Sequence, residues 1–364
     1  MGVEEKVMSG TDDVEVVSTG LREARAAGWD DYVSRHPNGT GYHHLAWLES
    51  IASAYGHRPW CLVALSPGGN LSGVMPICEF RVPLLGARWV SLPYCDLGGP
   101  LASSQTAETA LRERARELAQ QRGGKGLQLR LPGPAVEGPE EENLAKVSML
   151  CDLPENSDAL FSSYKPKLRS QIRKAEKNGL RAEVQSGPEA VRQFYRVFAI
   201  NMHRLGSPVH SLRWFLDLQA AFGDRMKVGL VFLDDTVVGA GVVLVNGARA
   251  SIPWASTLAE YNRLAPNMLL YWSLLAEVTD AGCRVFDFGR STPGEGTYRF
   301  KKQWGARPHE LRWLDMTPDG RPSPESASSG QAGRLRATVE SLWQRMPLSV
   351  ANVLGPPVRK YISL

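Results

Sequence analysis

The stretch Phe286–Ala306, FDFGRSTPGEGTYRFKKQWGA, carries the strongest indication of the fold and of a site. It begins within an apolar strand predicted over Arg284–Phe288, which a turn at Gly289 should end, leaving Arg290 and Ser291 exposed. The chain then crosses a Pro/Gly loop and resumes with closely spaced aromatic and basic residues. A strand that ends in this way and brings such residues together is typical of a binding site. The alternative is a surface loop followed by a solvated basic turn.

The composition is that of an ordinary globular protein. The 364 residues are 43% hydrophobic and 22% charged, with a net charge of +4, and this length predicts two domains or one large one. The sequence has no apolar run of about eighteen residues, so no membrane-spanning helix is expected. The segment Met1–Val17 is acidic and polar, unlike a secretory signal. We therefore expect a cytoplasmic protein.

The cysteines and histidines predict no metal site. The cysteines are scattered, form no CxxC pair and are expected to be reduced and mostly buried. The pair His43-His44 has no acidic or thiol partner at ligand spacing. Cys95 as a nucleophile would need a nearby histidine, so a core or cleft-lining thiol is the favoured interpretation.

The two halves of the chain repeat one order of elements, namely helix, helix, three strands, helix, strand. In the first half we expect helices over Leu21–Arg35, His44–Tyr55 and Gln105–Arg122, and strands over Trp60–Leu65, Leu71–Phe80, Arg88–Leu92 and Gly126–Arg130. In the second half we expect helices over Pro188–Arg204, Ser211–Phe222 and Asn267–Ala281, and strands over Lys227–Leu233, Thr236–Val245, Arg249–Trp254 and Arg284–Phe288. The repeat predicts a duplicated α/β (α+β) domain, in which each copy is a mixed sheet flanked by helices, with domains over residues 1–153 and 154–318.

The segments between and after these elements are expected to be loops, a linker and a tail. Leu131–Glu142 is rich in Pro, Gly and Glu and is predicted to be a loop, and Met149–Leu153 a strand joining the halves. Residues 319–332 are expected to form a flexible linker. Residues 333–364 form the tail, which begins with an amphipathic helix over Gly333–Met346. The tail either packs on the protein body or docks on a membrane surface.

The second informative element is Asp158–Gly179, within which a basic helix is predicted with its C-terminal cap at Asn178-Gly179. Pro166 suits its first turn, and Leu168, Ile172 and Ala175 form a buried stripe. Cations cover another face: Lys167, Arg169, Arg173, Lys174 and Lys177. Like charges at helical spacing repel one another, so a phosphate-rich partner would favour them, whereas a plain solvated face is the alternative. No aromatic residues are interleaved, which points to tRNA or a diphosphate rather than to DNA bases.

These segments together resemble the Fem family of tandem GNAT-fold transferases over most of Thr40–Trp313. Tyr164–Leu180 is similar to the family's basic helix at the start of the second domain, and Phe286–Ala306 to its strand-loop-helix segment. Together with Leu92–Leu101, Met202–Val209 and Trp343–Pro356 of the tail, the pattern is most similar to the Fem-like proteins of bacterial exopolysaccharide and protein-sorting clusters.

The resemblance implies a transferase that forms an amide bond by direct attack of an amine on a carbonyl. The donor would be an aminoacyl-tRNA or an acyl-CoA, with no tightly bound cofactor and no metal. The acceptor would be an amine of a glycan, nucleotide-sugar or peptide precursor of the cell envelope, and the protein could lie peripherally at the inner membrane face. The alternative is a non-catalytic module that binds a polysaccharide precursor at the membrane surface.

One segment departs from the GNAT pattern. Ordinary GNAT enzymes hold the CoA pyrophosphate with a glycine-rich turn at a helix N-terminus, and the corresponding place here is Arg263–Met268, RLAPNM. Arg263 and Asn267 could still bind an anion, but no glycine lets the backbone approach a phosphate closely. The departure weakens the expectation of acetyl-CoA as the donor.

Three residues are candidates for catalysis. Lys301 could hold a phosphate or stabilise negative charge at the reacting carbonyl, unless it is a solvent-exposed lysine. Asp287 lies within an apolar strand and could orient Arg290 or take the amine proton, and we favour the orienting role. Asp96 of the first half is a possible base, although aspartate also favours such Gly-rich loops for turn formation.

The candidate substrate-binding residues come from two places. Tyr298 and Trp304 are weighed as core anchors as well, and a histidine at a helix end is commonly a helix-end cation. The full set is Arg290, Ser291, Tyr298, Trp304, His203, Arg204 and Ser207. We expect these residues at the rim of a cleft between the domains.

Overall fold

The computed structural model describes residues 5–7, 14–82, 86–136, 138, 144–317, 319–321 and 339–363. The chain divides into two compact units, the first made of residues 1–133, 311–327 and 361–364 and the second of residues 134–310 and 328–360. The division differs from the boundary predicted at residue 153. The reason is that Val147–Asp152 pairs with strands of the second unit.

The helices of the described residues are α1 (Leu21–Ala26), α2 (Trp29–Arg35), α3 (Leu45–Tyr55), α4 (Gln105–Gln121), α5 (Ser157–Ser163), α6 (Pro166–Lys177), α7 (Pro188–Arg204), α8 (Leu212–Phe222), α9 (Pro266–Asp280), α10 (Gly296–Lys302), α11 (residues 339–345) and α12 (Leu348–Arg359).

The strands are β1 (Glu5–Val7), β2 (Glu15–Thr19), β3 (Arg58–Leu65), β4 (Leu71–Val82), β5 (Gly86–Val90), β6 (Leu101–Ala102), β7 (Leu127–Ala135), β8 (Val147–Asp152), β9 (Leu180–Gln185), β10 (Met226–Leu233), β11 (Thr236–Asn246), β12 (Arg249–Thr257), β13 (Val285–Ser291) and β14 (Arg307–Met316).

The two units repeat one topology. In the first unit, antiparallel β3, β4 and β5 are followed by α4 and by β7, which lies parallel to β5. In the second unit, antiparallel β10, β11 and β12 are followed by α9 and by β13, which lies parallel to β12. The predicted α/β class, with mixed sheets flanked by helices, is therefore confirmed.

The strands of the second unit position the candidate site. They follow the order β14, β8, β13, β12, β11, β10, β9. Helix α9 contributes Leu270, Leu274 and Val278 to a core that covers one face, together with Phe286 of β13 and Ile172 of α6. Helix α7 packs against β10, β11 and β12.

Two predicted elements differ from the structure, and the basic helix agrees with it. The helix predicted over Leu21–Arg35 is broken at Gly28, whose φ of 83° does not continue an α-helix. The predicted basic helix is α6, which starts at Pro166 and is capped by Asn178 as expected, and Ser157–Ser163 before it forms the separate short helix α5. The loop predicted over Leu131–Glu142 begins as the end of β7, since prolines also favour extended conformations in the residues that precede them.

The tail belongs to the second unit up to Lys360. Of the amphipathic helix predicted over Gly333–Met346, residues 339–345 are helical, and residues 333–338 lie outside the described residues. Gln344 donates to the Arg204 carbonyl, and Gly206 lies so close to Glu340 that an added Cβ would meet its carbonyl oxygen at 2.7 Å. Packing on the body is thus the arrangement observed for this part of the tail. The predicted linker at 319–332 is described only at residues 319–321.

Candidate active site

Strands β12 and β13 pair over a short distance and then separate. Their parallel pairing covers Arg249–Ser251 against Val285–Asp287, although β12 continues to Thr257 and β13 to Ser291. Beyond Ser251 and Asp287 the two strands no longer hydrogen-bond to each other. Separated parallel strands next to a crossover helix create a slot that a ligand can enter without breaking the rest of the sheet.

A β-bulge lies where the separation begins. Asp287 pairs with Leu150 and Arg290 pairs with Ser148, so β13 has one residue more than β8 across this interval. Gly289 occupies the bulge with a φ of 70°, which a residue without Cβ adopts readily. The expectation that Gly289 ends the strand is wrong, because Gly289 forms a bulge within β13 and the pairing with β8 resumes at Arg290.

Asp287 is a buried carboxylate that holds the bulge. It is 2% exposed, and its Oδ1 accepts hydrogen bonds from Ser148 Oγ and from the Gly289 amide, both at 2.8 Å. These contacts satisfy part of the carboxylate's hydrogen-bonding requirement inside the sheet. They hold the backbone of the bulge, and the favoured role of Asp287 in orienting Arg290 stays a prediction.

Lys301 reaches the same bulge from α10. Its side chain is buried, and its ammonium donates to the carbonyls of Gly289 at 3.0 Å and Arg290 at 2.8 Å. The alternative of a solvent-exposed lysine is therefore wrong. The ammonium fixes the two carbonyls of the bulge and places a cation where the strands separate.

Two serine hydroxyls on the separating strands have no hydrogen-bond partner in the described part of the chain. Ser251 is the last residue of β12 that pairs with β13, and Ser291 ends β13. Both are buried, so the expectation that Ser291 is exposed is wrong. Buried hydroxyls without partners are unfavourable unless a ligand or water satisfies them, which marks the slot as a place for a polar group.

His309 is a further candidate for the site, and sequence reasoning missed it. It pairs with Ser148 of β8, which pairs on its other side with Arg290, so these three residues form one row across the sheet. Burial lowers the pKa of His309, as do the charges of Arg249 and Arg307, while Asp287 and Asp152 oppose the shift. The imidazole is consequently neutral at pH 7 and able to accept a proton. No local pattern in the sequence indicates this residue, because the row depends on pairing between distant strands.

A cationic pocket of about 920 Å³ lies between the α5–α6 corner and the segment Lys302–Arg307. Lys165 and Lys167 of the basic segment line it together with Lys302 and Arg307. Its floor includes Trp304, which is fully buried and meets the ring of Tyr164 edge-on at 5.5 Å. The pocket thus combines the basic helix with the end of the stretch Phe286–Ala306.

The remaining cations of α6 are on its outer surface. Leu168, Ile172 and Ala175 are buried as predicted. Arg173, Lys174 and Lys177 are exposed, and Arg169 is half-buried. The guanidinium of Arg173 lies 5.3 Å from the ring of Phe161. The basic face is therefore accessible to a polyanion.

The start of α9 is a poor phosphate cradle. Pro266 occupies the first turn and has no amide hydrogen, and the Met268 amide donates to the Ala265 carbonyl at 3.0 Å. Two of the first three helical positions therefore offer no donor to a phosphate. Asn267 is half-buried there, and Arg263 is exposed in the short helical turn before it.

The residues predicted at the end of α7 contact the tail or cap the helix. His203 Nε2 lies 2.8 Å from the Met346 carbonyl, and Arg204 donates to Asn201 at 3.0 Å. The Ser207 amide caps the helix by donating to the Met202 carbonyl. These three residues therefore have local structural contacts at the end of α7.

Tyr298 lies on α10, one turn before Lys302. Its side chain is buried, and Lys302 Nζ is 3.3 Å from its phenol oxygen. The ring therefore serves as a core anchor.

Asp96 and Cys95 lie in the first unit. The Asp96 carbonyl accepts a hydrogen bond from the Trp313 indole at 3.1 Å, and the carboxylate is half-buried. Cys95 is buried, and burial raises the pKa of its thiol despite the opposing charge of Arg130. A thiol in this state is a weak nucleophile, in agreement with a core role.

Membrane-spanning helices and metal clusters are both absent from the described ranges. No helix there combines the length and apolar character needed to cross a membrane. No group of three or more His, Cys, Asp or Glu side chains there is placed to hold a metal ion.

Comparison with known proteins supports the fold. The acetyltransferase (GNAT) domain family matches residues 162–302. The crystal structure of FemX has a TM-score of 0.64 and 17% identity, covering 85% of this chain and 96% of that one. The C-terminal domain of a putative lysylphosphatidylglycerol synthetase from Agrobacterium fabrum has a TM-score of 0.53 and 14% identity, covering 88% and 97%. A conserved protein of unknown function from Bacteroides thetaiotaomicron has a TM-score of 0.51 and 10% identity, covering 80% and 97%. No curated protein matched the sequence. Residues 162–302 therefore match a GNAT acetyltransferase domain, and the fold of the chain is similar to that of FemX.

Proposed function

We propose that the protein is an N-acyltransferase that moves an aminoacyl or acyl group to an amine of a cell-envelope glycan, nucleotide-sugar or peptide precursor. The single observation that carries the proposal is the slot between β12 and β13, which opens at the bulge held by Asp287 and Lys301. The matched acetyltransferase domain spans this slot and gives the reaction class.

The residues of the slot suit a direct transfer. The amine attacks the donor carbonyl carbon, a C–N bond forms, and the bond from that carbon to the donor's oxygen or sulfur breaks. We assign the amine proton to the neutral imidazole of His309, from which it passes to the leaving group. The buried ammonium of Lys301 stabilises the negative charge that develops on the carbonyl oxygen of the donor. Asp287 holds the bulge next to Arg290, and we assign to it the role of orienting Arg290.

The preferred donor is an aminoacyl-tRNA. The start of α9 offers few amides to a CoA pyrophosphate, whereas the exposed cations of α6 suit a nucleic-acid backbone. Acyl-CoA is the second candidate, because the matched family is an acetyltransferase domain.

The proposal includes peripheral contact with the inner membrane face. Helix α12 exposes one apolar face made of Val350, Val353, Leu354 and Val358, of which Val353 is 71% exposed. Arg345 and Lys360 add positive charge to the same segment, as expected for contact with anionic lipid. Flotation with anionic vesicles tests this. Val353→Glu should reduce the fraction of protein that floats with the vesicles. Val339→Glu, at an exposed position on α11, is the comparison variant. If the wild-type protein does not float, the proposed membrane contact is wrong.

Transfer itself is tested with the purified full chain. It is incubated with radiolabelled aminoacyl-tRNAs or acyl-CoAs and with amine acceptors from cell extract, and amide products are detected by mass spectrometry. We expect product with aminoacyl-tRNA, and product with acyl-CoA alone would reverse the choice of donor. Failure of every combination would favour the non-catalytic module that binds a polysaccharide precursor.

A further inference from the structure

The cationic pocket is lined by other residues than the slot between β12 and β13. Its rim carries the ammonium groups of Lys165, Lys167 and Lys302 and the guanidinium of Arg307. The acid in its lining is Asp152, which already pairs with Arg307. The rim therefore carries a net positive charge and attracts an anion.

Two buried donors in the lining lack partners. Tyr164 Oη and Trp304 Nε1 have no hydrogen-bond partner among the residues that the structure describes, and their side chains are 6% and 0% exposed. Burial raises the pKa of the Tyr164 hydroxyl, so it stays protonated and remains a donor. A ligand with acceptor oxygens would satisfy these groups.

The floor of the pocket is apolar. Leu153, Leu160 and Leu168 lie beneath the cationic rim, together with the rings of Tyr164 and Trp304. A free phosphate would use the rim and leave this floor exposed to water. A ligand with an anionic head and an apolar body would use both.

We propose that this pocket binds a phosphate or diphosphate ester of an apolar alcohol, with the oxygens of the anionic head on the lysines of the rim and on Tyr164 Oη and Trp304 Nε1, and with the apolar body on the leucines of the floor. The inference goes beyond the transfer reaction, since it names a second ligand class and a site outside the slot. It gives the second unit a means of holding a lipid-linked molecule or its free diphosphate.

The test is calorimetric titration of the full chain with geranyl diphosphate, compared with inorganic pyrophosphate, geraniol and UDP. We expect geranyl diphosphate to bind at least about tenfold more tightly than each of the other three, because only it uses both parts of the pocket. The absence of geranyl diphosphate binding overturns the proposal. UDP binding as tightly or more tightly overturns it in favour of a nucleotide site. Vesicles doped with a long-chain prenyl phosphate distinguish a lipid-embedded source from the free diphosphate.

Matched variants locate the site. Lys167→Glu should weaken binding about tenfold, whereas Lys174→Glu on the same helix lies outside the lining and should leave it within about twofold. Tyr164→Phe should weaken binding without lowering the melting temperature, since its hydroxyl has no protein partner among the described residues. Equal effects of the two lysine reversals would show non-specific attraction and overturn the assignment.

The transfer assay separates this inference from the proposed function. If the protein catalyses transfer but does not bind geranyl diphosphate, the proposed pocket ligand is wrong and the proposed transferase function stands. If the protein binds geranyl diphosphate but transfers no group from any donor, the proposed pocket ligand stands and the proposed transferase function is wrong.

Discussion

Lys301 and Asp287 act on the same few backbone atoms. Asp287 accepts the Gly289 amide, and Lys301 donates to the Gly289 carbonyl, so one peptide segment is held from both ends by buried charged side chains. Charged groups with such fixed partners are costly to remove singly, because the remaining partners stay buried. The backbone of the bulge is therefore held in place on both sides.

We predict that Lys301→Met lowers the free energy of unfolding by about 1–3 kcal/mol and abolishes transfer, because two bulge carbonyls then have no donor from this side chain. Urea denaturation and the transfer assay measure the two effects. The neighbouring Lys302→Met is the control for stability, because Lys302 is exposed. Equal stability of both variants would show that the carbonyl contacts of Lys301 contribute nothing.

We predict that His309→Gln lowers kcat/KM by about 10²–10⁴-fold. In the wild type, the pKa of His309 lies below its ordinary 6.5, so activity should fall only as the pH drops below that value and the imidazole becomes protonated. The variant should lose this acidic limb of the pH profile. If the limb survives the substitution, another group accepts the proton.

Helix α6 packs against the core with one face and carries exposed cations on another. Ile172 and Ala175 anchor it in the core, which leaves its opposite face free for cations that do not stabilise the helix themselves. Burial of the apolar stripe thus offsets the repulsion on a surface suited to polyanions.

We predict that Arg169→Glu and Arg173→Glu weaken tRNA binding and reduce the slope of log K against log salt by about one for each phosphate that the helix no longer neutralises. Filter binding over a range of salt concentrations measures the slope. Arg196→Glu, an exposed charge reversal on α7, is the matched control. Unchanged affinity in the α6 variants would exclude this face as the nucleic-acid surface.

The tail is part of the folded second unit. Arg359 of α12 donates through Nε to His210 Nε2 at 3.1 Å, and Gly355 approaches the backbone of Val209 so closely that an added Cβ would lie 3.0 Å from it. His210 is buried, and this burial lowers its pKa well below 6.5, with the Arg359 charge as the second cause. The neutral His210 thus connects the tail helix α12 to a segment that lies 149 residues earlier in the sequence.

This contact predicts a pH-dependent stability. The unfolded chain takes up a proton on His210 below about pH 6.5 and the folded chain does not, so the unfolding free energy should fall by up to about 1.4 kcal/mol per pH unit as the pH drops below 6.5. His210→Gln lacks this titration. Denaturation at pH 7.5 and pH 5.5 should show the wild type losing more stability than the variant, and equal losses would contradict the assignment.

Local patterns account for most of the elements. Helix α7 runs over Pro188–Arg204 as predicted, because proline starts it and its apolar residues follow the helical period. The buried stripe of α6 and the order of elements in both units were also predictable from the sequence. Each of these depends on residues that are neighbours along the chain.

The candidate site was only partly predictable. Lys301 and Asp287 could be selected from their segment, but the bulge at Gly289, the row from Arg290 to His309 and the separation of β12 from β13 could not. A bulge and a strand register are set by pairing with strands far away in sequence, and a residue's own neighbours do not specify that pairing. The amino-acid sequence was therefore sufficient to place the elements and the charges of this protein, whereas pairing between distant strands settled which of those charges are buried together at one site.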